Sequence, residues 1–319
     1  MRLPPPVRRG DVVRVIAPSS PFDADAFRRG LEVLTRRLGL VPRHRADLAA
    51  RADFLAGDDA RRLEEWREAV ADPDATAIFC ARGGYGASRI LPGVDPAPLV
   101  ARPKTLVGFS DICVLHAALN RAGLATVHGP VLTQLGRAPE EAVDHLERLL
   151  ARTAPRTGAW ERPAPGAGLV GTASVTPGRA SGPLLGGSLT LLAHLAGTPW
   201  LPPLAGAIVL LEDVGEKPYR IDRYLTQLRL AGALDGVAGV ALGQFADCDL
   251  GVQRGLDVAR GAAKALGVPV IEGIAAGHED ANFALPLGAR VTLVAPGPGE
   301  EGEPRLTFDG WLDDGSLTA

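Results

Sequence analysis

The chain has 319 residues, 46% of them hydrophobic and 22% charged, with 34 Lys and Arg against 37 Asp and Glu for a formal charge of -3. That apolar content over that length can bury one large core or two ordinary ones, which excludes disorder for the bulk of the chain. The balanced charge, without a run of five like charges, excludes a basic nucleic-acid face and a polybasic lipid anchor. A small molecule or a peptide is the expected partner.

Cys80, Cys113 and Cys248 are odd in number, widely spaced and without a CxxC pair. Neither a disulfide framework nor a zinc site is suggested, and reduced, buried thiols are expected. The first apolar run, residues 12–17, is broken by Arg14 and is shorter than the ~7 to 15 residues of a signal-peptide core. No stretch reaches the ~18 apolar residues of a membrane span. The expectation is a soluble, cytoplasmic protein with no membrane partner.

In chain order, residues 12–17 read as a strand, 25–38 as a helix closed by Gly39, and 60–71 as a helix begun by Asp58 and Asp59. Residues 75–81 (ATAIFCA) and 105–108 (TLVG) are strands, and 112–122 is a helix ended by Gly123. Strands alternating with helices argue for a parallel sheet covered on both faces. Residues 151–178 are rich in Pro, Gly, Ala and Thr without a sustained period, so a boundary between a first domain (1–150) and a second (179–319) is expected there. In the second half, 188–196 and 219–231 read as helices, and 207–211, 237–242 and 269–273 as strands. The tail from Gly288 onward alternates like β-structure.

The strand at 105–108 runs through Phe109, Ser110 and Asp111 straight into a helix. A serine at such a corner presents its hydroxyl at the carboxyl end of a parallel sheet, above helix N-terminal amides. GFSDI lacks the second glycine of an esterase elbow, so locally Ser110 or Asp111 could equally serve as a helix cap. A serine nucleophile needs a base, usually a histidine oriented by a carboxylate. His44 and His145 sit among surface-like charges, His116 lies within a helix, and His194 falls in a Leu/Ala-rich helix that suits a core position. His128 precedes Gly129-Pro130 as a pocket-lining candidate, while His278 sits in a Gly-rich polar loop of the kind that carries function. Glu212 ends the apolar run AIVLL, where a charge must find a partner. That partner could be His278, or Lys217 or Arg220 downstream; Asp213 points to the opposite face. Arg82-Gly83-Gly84-Tyr85-Gly86 follows a strand, and its glycines would let amides approach a phosphate or an oxyanion. GxGxxG fails at Arg89, no P-loop is present, and no metal-ligand spacing appears, so neither a nucleotide cofactor nor a metal is expected.

These stretches together resemble the LD-carboxypeptidases, serine peptidases that trim murein tetrapeptides. The resemblance is carried by VIAPSSP near the start, ARGGYGASRILPG at 81–93, LVGFSDI at 106–112, HGPV at 128–131, GPLLGGSLTLLAHLAGTPW at 182–200, LLEDVGEKPYRIDRYLTQLRLAG at 210–232 and GHEDANFALPLGA at 277–289. It implies an α/β fold, with an N-terminal flavodoxin-like parallel-sheet domain, a C-terminal swivelling β/α domain and the active site in the cleft between them. It implies Ser110 as nucleophile, His278 as general base and Glu212 as its orienting acid, with backbone amides of Asp111 and of Gly83 or Gly84 as the oxyanion hole. A homodimer is implied as well. Ser188 stands where many relatives have Asn, and Cys113 where many have Thr.

The expected activity is therefore a serine carboxypeptidase that removes the terminal D-alanine of a muropeptide, with no cofactor. Arg82, Tyr85 and Arg220 are candidate substrate contacts by position. One alternative is hydrolysis of aminoacyl or peptidyl nucleotide analogues, as in relatives similar to the microcin C self-immunity protein, for which Trp160 is the loosely placed stacking candidate. Another is a non-catalytic two-lobed binding protein, disfavoured by the presence of all three triad residue types.

Overall fold

The computed structural model describes residues 1–153, 163–164 and 166–312. Its first sheet is built from β1 (Val12–Ile16), β2 (Val41–Arg43), β3 (Ala75–Cys80), β4 (Thr105–Gly108) and β5 (Thr126–His128), in the order β2-β1-β3-β4-β5 and all parallel. That is the flavodoxin-like order, whose topological switch falls between β1 and β3. Alternation along β3 explains the layering. Ala77 and Phe79 face one buried cluster, Ile78 and Cys80 the other. Helices Ala24–Glu32 and Glu140–Ala151 cover the first face with Phe27, Leu146 and Leu149, while Asp59–Ala71 and Cys113–Arg121 cover the second with Trp66, Val114, Leu115 and Leu119.

The second sheet comprises β6 (Gly168–Val170), β7 (Ala173–Thr176), β8 (Gly178–Ser188), β9 (Ile208–Val214), β10 (Gly239–Ala246) and β11 (Val270–Glu272). Two later strands, β13 (Arg290–Ala295) and β14 (Arg305–Thr307), complete it in the order β6-β14-β13-β8-β9-β10-β11-β7. The four strands β8 to β11 are parallel and the flanking ones antiparallel. Helices Leu189–Leu195 and Pro218–Leu230 bury Leu192, Leu225 and Leu228 against one face, with Val209 and Leu211 beneath them. The other face, with Ile208, Leu210 and Ala241, shares one continuous core with the first sheet.

One strand leaves its neighbours in the sequence. β12 (Leu285–Leu287) pairs antiparallel with β5 at the edge of the first sheet, Leu285 opposite His128. Chain order predicts it in the second sheet; a three-residue apolar run carries no information about which edge it will close. Two other expectations also change. Within the stretch read as a linker, β6 and β7 form, because short edge strands take their pairing from distant partners rather than from a local period. The helix over 25–38 is α-helical only over Ala24–Glu32 and continues as a π-turn through Val33–Arg37.

Candidate active site

Ser110 stands where β4 gives way to the 3-10 turn Ser110–Ile112 and then to helix Cys113–Arg121. Its φ of 62° is left-handed, a strained conformation for a serine that turns the hydroxyl out of the sheet. The corner is held from below. His116 Nε2 bonds the Gly108 carbonyl oxygen at 2.8 Å, and the buried Asp111 carboxylate accepts the Ala87 amide at 2.7 Å. Burial raises the Asp111 carboxyl above its usual range, against the pull of the Ala87 amide.

The loops that follow β1 and β3 flank this corner, at the carboxyl ends of the strands where the switch point opens a crevice. Gly83 lies against the serine: a β-carbon added to it would sit 2.9 Å from Ser110 Cβ and 3.3 Å from the Asp111 amide nitrogen. The buried Arg62 guanidinium clamps both loops, donating to the Pro18 carbonyl at 2.6 Å and the Gly86 carbonyl at 2.7 Å.

His278 reaches Ser110 from the other side. Its Nε2 lies 2.9 Å from Ser110 Oγ and its Nδ1 lies 2.8 Å from Glu212 Oε2. Glu212 is fully buried on β9. Burial alone would raise its carboxyl, but His128 and His278 outweigh it and hold the group at about 2. The alternative pairing for Glu212 is not the one made: Arg220 ion-pairs with Glu216 at 3.4 Å. Asp213, on the opposite face, accepts the amide and hydroxyl of Thr190 at 2.8 and 2.7 Å, and burial pushes its carboxyl up to about 6.

The His278 loop is pinned by amides that the sequence reading missed. Gln134 Nε2 donates to the Glu279 carbonyl at 2.9 Å, and the Gly277 amide donates to Asn282 Oδ1 at 3.0 Å. Gln244 brackets the loop, accepting the Glu279 amide and donating to the Ala281 carbonyl, each at 3.0 Å. A polar side chain at an otherwise apolar helical position, as for Gln134 between Leu132 and Leu135, is the signal that could have flagged one of them.

The remaining candidates fall as follows. Arg82 is exposed and donates to the Pro21 carbonyl at 2.6 Å. Tyr85 is exposed, with its ring 5.6 Å from that of Phe54. Trp160 lies outside the described residues. His145, expected at the surface, is buried and bonds the Ala284 carbonyl at 2.9 Å. It shares a helix face with Ala142, Leu146 and Leu149, and that periodicity outweighs its charged neighbours. His194, expected in the core, is exposed. Cys113, His128 and Glu212 bring one ligand-type atom each within 4.8 Å of one another in a buried group. Among the described residues, no helix is long and apolar enough to cross a membrane.

A hydroxyl, an imidazole and a buried ionised carboxylate in one hydrogen-bonded line are arranged to take a proton from the hydroxyl and stabilise the resulting imidazolium. Comparison with known proteins places the chain among peptidases. Residues 13–129 match the LD-carboxypeptidase N-terminal domain and residues 181–293 the LD-carboxypeptidase C-terminal domain. The chain is 42% identical over 293 residues to a putative carboxypeptidase of Streptomyces coelicolor, spanning 90% of this chain and 91% of that one. It is 40% identical over 294 residues to the murein tetrapeptide carboxypeptidase of Pseudomonas aeruginosa, spanning 88% and 92%. The crystal structure of muramoyltetrapeptide carboxypeptidase from Oxalobacter formigenes superposes with a TM-score of 0.79 at 29% identity, covering 92% of this chain and 97% of that one. The microcin C7 self-immunity protein shares the fold, with a TM-score of 0.84 at 24% identity over 98% of this chain and 100% of that one. With both domain matches in place and relatives of this similarity along nearly its whole length, the chain belongs to the LD-carboxypeptidase family of serine peptidases.

Proposed function

We propose that the protein removes the terminal D-alanine from murein tetrapeptides, cleaving the amide that joins it to the L-centre of the preceding diamino acid. The observation that carries this reading is the continuous line from Ser110 Oγ through His278 to Glu212 Oε2, at 2.9 and 2.8 Å. Ser110 attacks the scissile carbonyl while His278 Nε2 takes its proton, and the ionised Glu212 stabilises the imidazolium. The oxyanion forms beside the Asp111 amide and the glycine loop, where the bare Gly83 leaves room for it. Each such donor contributes roughly 2.7 to 4 kcal/mol to the transition state. Collapse returns the proton from His278 to the leaving D-alanine amine and leaves an acyl-enzyme. A water, deprotonated by the same imidazole, then releases the tripeptide.

The murein tetrapeptide carboxypeptidase of Pseudomonas aeruginosa supports the substrate class. The homodimer implied by the resemblance belongs to the same reading, and light scattering tests it. For the reaction, the purified protein and Ser110→Ala are incubated with a disaccharide tetrapeptide and with an aminoacyl sulfamoyl adenosine, and products are read by mass spectrometry. Alanine release from the tetrapeptide by the native protein alone is the expected result. Equal release by Ser110→Ala removes the serine mechanism, and turnover of the adenosine conjugate alone replaces the muropeptide as substrate.

A further inference from the structure

Among the described residues, two of the three buried histidines hydrogen-bond through their rings, although His116 leaves its Nδ1 unpaired. His116 bonds the Gly108 carbonyl, and His145 uses both nitrogens, on the Ala284 carbonyl and the Gly166 amide. His128 is the exception: it is fully buried, and neither ring nitrogen has a hydrogen-bond partner. The polar atom facing its Nε2 is Glu212 Oε1 at 3.7 Å, and that oxygen is itself buried and without a hydrogen bond. Two orphaned buried groups facing each other are costly apart, and closing the gap to about 3 Å satisfies both.

The backbone places His128 where the three reacting segments meet. It pairs with Gly108 on β4, two residues before Ser110, and with Leu285 on β12, the strand that follows the His278 loop. Its ring lies 5.8 Å from that of Phe109, which in turn lies 4.8 Å from the His278 ring. Gly187 makes room for this packing: with φ of 127°, any β-carbon there would lie 2.5 Å from Cys113 Sγ and 3.4 Å from His128 Cδ2. Cys113 Sγ accepts the Ser188 amide at 3.4 Å and so closes the pocket around the pair.

We propose that His128 is a positioning residue: its Nε2–H donates to Glu212 Oε1, fixing the carboxylate so that Oε2 stays on His278. The proposal rests on the Ser110–His278–Glu212 reading. In the resting geometry the contact is long, as catalytic hydrogen bonds often are before substrate binds. His128 belongs to the nucleophile's sheet and Glu212 to the other, so the contact bridges the two sheets.

The test measures D-alanine release from a disaccharide tetrapeptide by His128→Phe, His128→Asn and His128→Gln, each also in a Glu212→Gln background, with melting temperatures taken alongside. Loss of one charge-assisted hydrogen bond predicts that His128→Phe lowers kcat roughly 10- to 100-fold, with KM within about twofold of native. His128→Gln, whose amide can donate to the same oxygen, restores most of that loss, whereas the shorter His128→Asn does not; the Asn and Gln pair decides the matter if the Phe variant fails to fold. In the Glu212→Gln background, His128→Phe costs nothing further. Native kcat in His128→Phe, or an equal loss in both backgrounds, overturns the proposal. So does activity that a chelator removes and zinc restores, since Cys113, His128 and Glu212 would then hold a cation. Ser110→Ala separates the two levels. If it stays active the catalytic reading fails, and if it is dead while His128→Phe is native only this inference fails.

Discussion

Asn282 donates its side-chain amide to Gln134 Oε1 at 2.9 Å, tying the loop that bears His278 to a short helix of the nucleophile's half of the molecule. Gln134 is buried, and its bond to Asn282 is made away from water. Gln134→Leu keeps the volume but leaves the Glu279 carbonyl and the Asn282 amide unpaired. Stability should fall by about 1 to 3 kcal/mol in urea unfolding. Turnover should fall further than stability accounts for, because His278 loses its anchor, and kcat measured well below the melting temperature checks this.

Gly83→Ala probes the wall beside the nucleophile. The added methyl would crowd Ser110 Cβ at 2.9 Å and Oγ at 3.2 Å, where the proposed oxyanion would need room. The expected loss in kcat is roughly 10²-fold or more with an unchanged circular dichroism spectrum. Undiminished kcat would move the oxyanion site elsewhere.

Adjacent acids on β9 should titrate in opposite senses. Glu212 is held at about 2 against an ordinary 4.5, so its ionised form favours folding; that stability is present above pH 4.5 and is lost as pH falls toward 2. Asp213 is raised to about 6 against 3.8, so folding retains its proton and stability is lost as pH rises from about 4 to 6. Urea unfolding of native protein and Asp213→Asn across pH 4 to 7.5 isolates the Asp213 contribution. The native protein should lose on the order of 2 to 3 kcal/mol relative to the variant over that window. A difference that is flat with pH would refute it.

The D-alanine of the proposed reaction carries a carboxylate, and Arg82 sits beside the glycine loop with one guanidinium nitrogen on the Pro21 carbonyl. Arg82→Gln should raise KM severalfold with kcat little changed, the signature of lost ground-state binding. Arg220, engaged with Glu216, should show the smaller effect under the same Michaelis analysis.

The strands most legible in the sequence were the largely buried ones, such as β3 and β4, whose apolar runs bounded by turns need no tertiary information. Ser110, Glu212 and His278 were separately ambiguous from local pattern, and family resemblance singled them out as a set. The contact that joins them spans 168 residues between Ser110 and His278, and no local period encodes it. Arg62 was hidden for a related reason. A charge on a helix usually marks the solvent face, and the carbonyls of Pro18 and Gly86, with the Asp59 carboxylate, explain why this one points inward. The destination of β12 was equally opaque, since edge pairing is decided by which backbone lies unpaired nearby.

That last strand has an engineering consequence. Because Leu285–Leu287 stitches the far end of the polypeptide onto β5, cutting the gene at residue 178 cannot yield two self-sufficient halves. The upstream fragment would expose a naked β5 margin ready to recruit stray strands, and expressing both fragments together should rescue what either one alone loses.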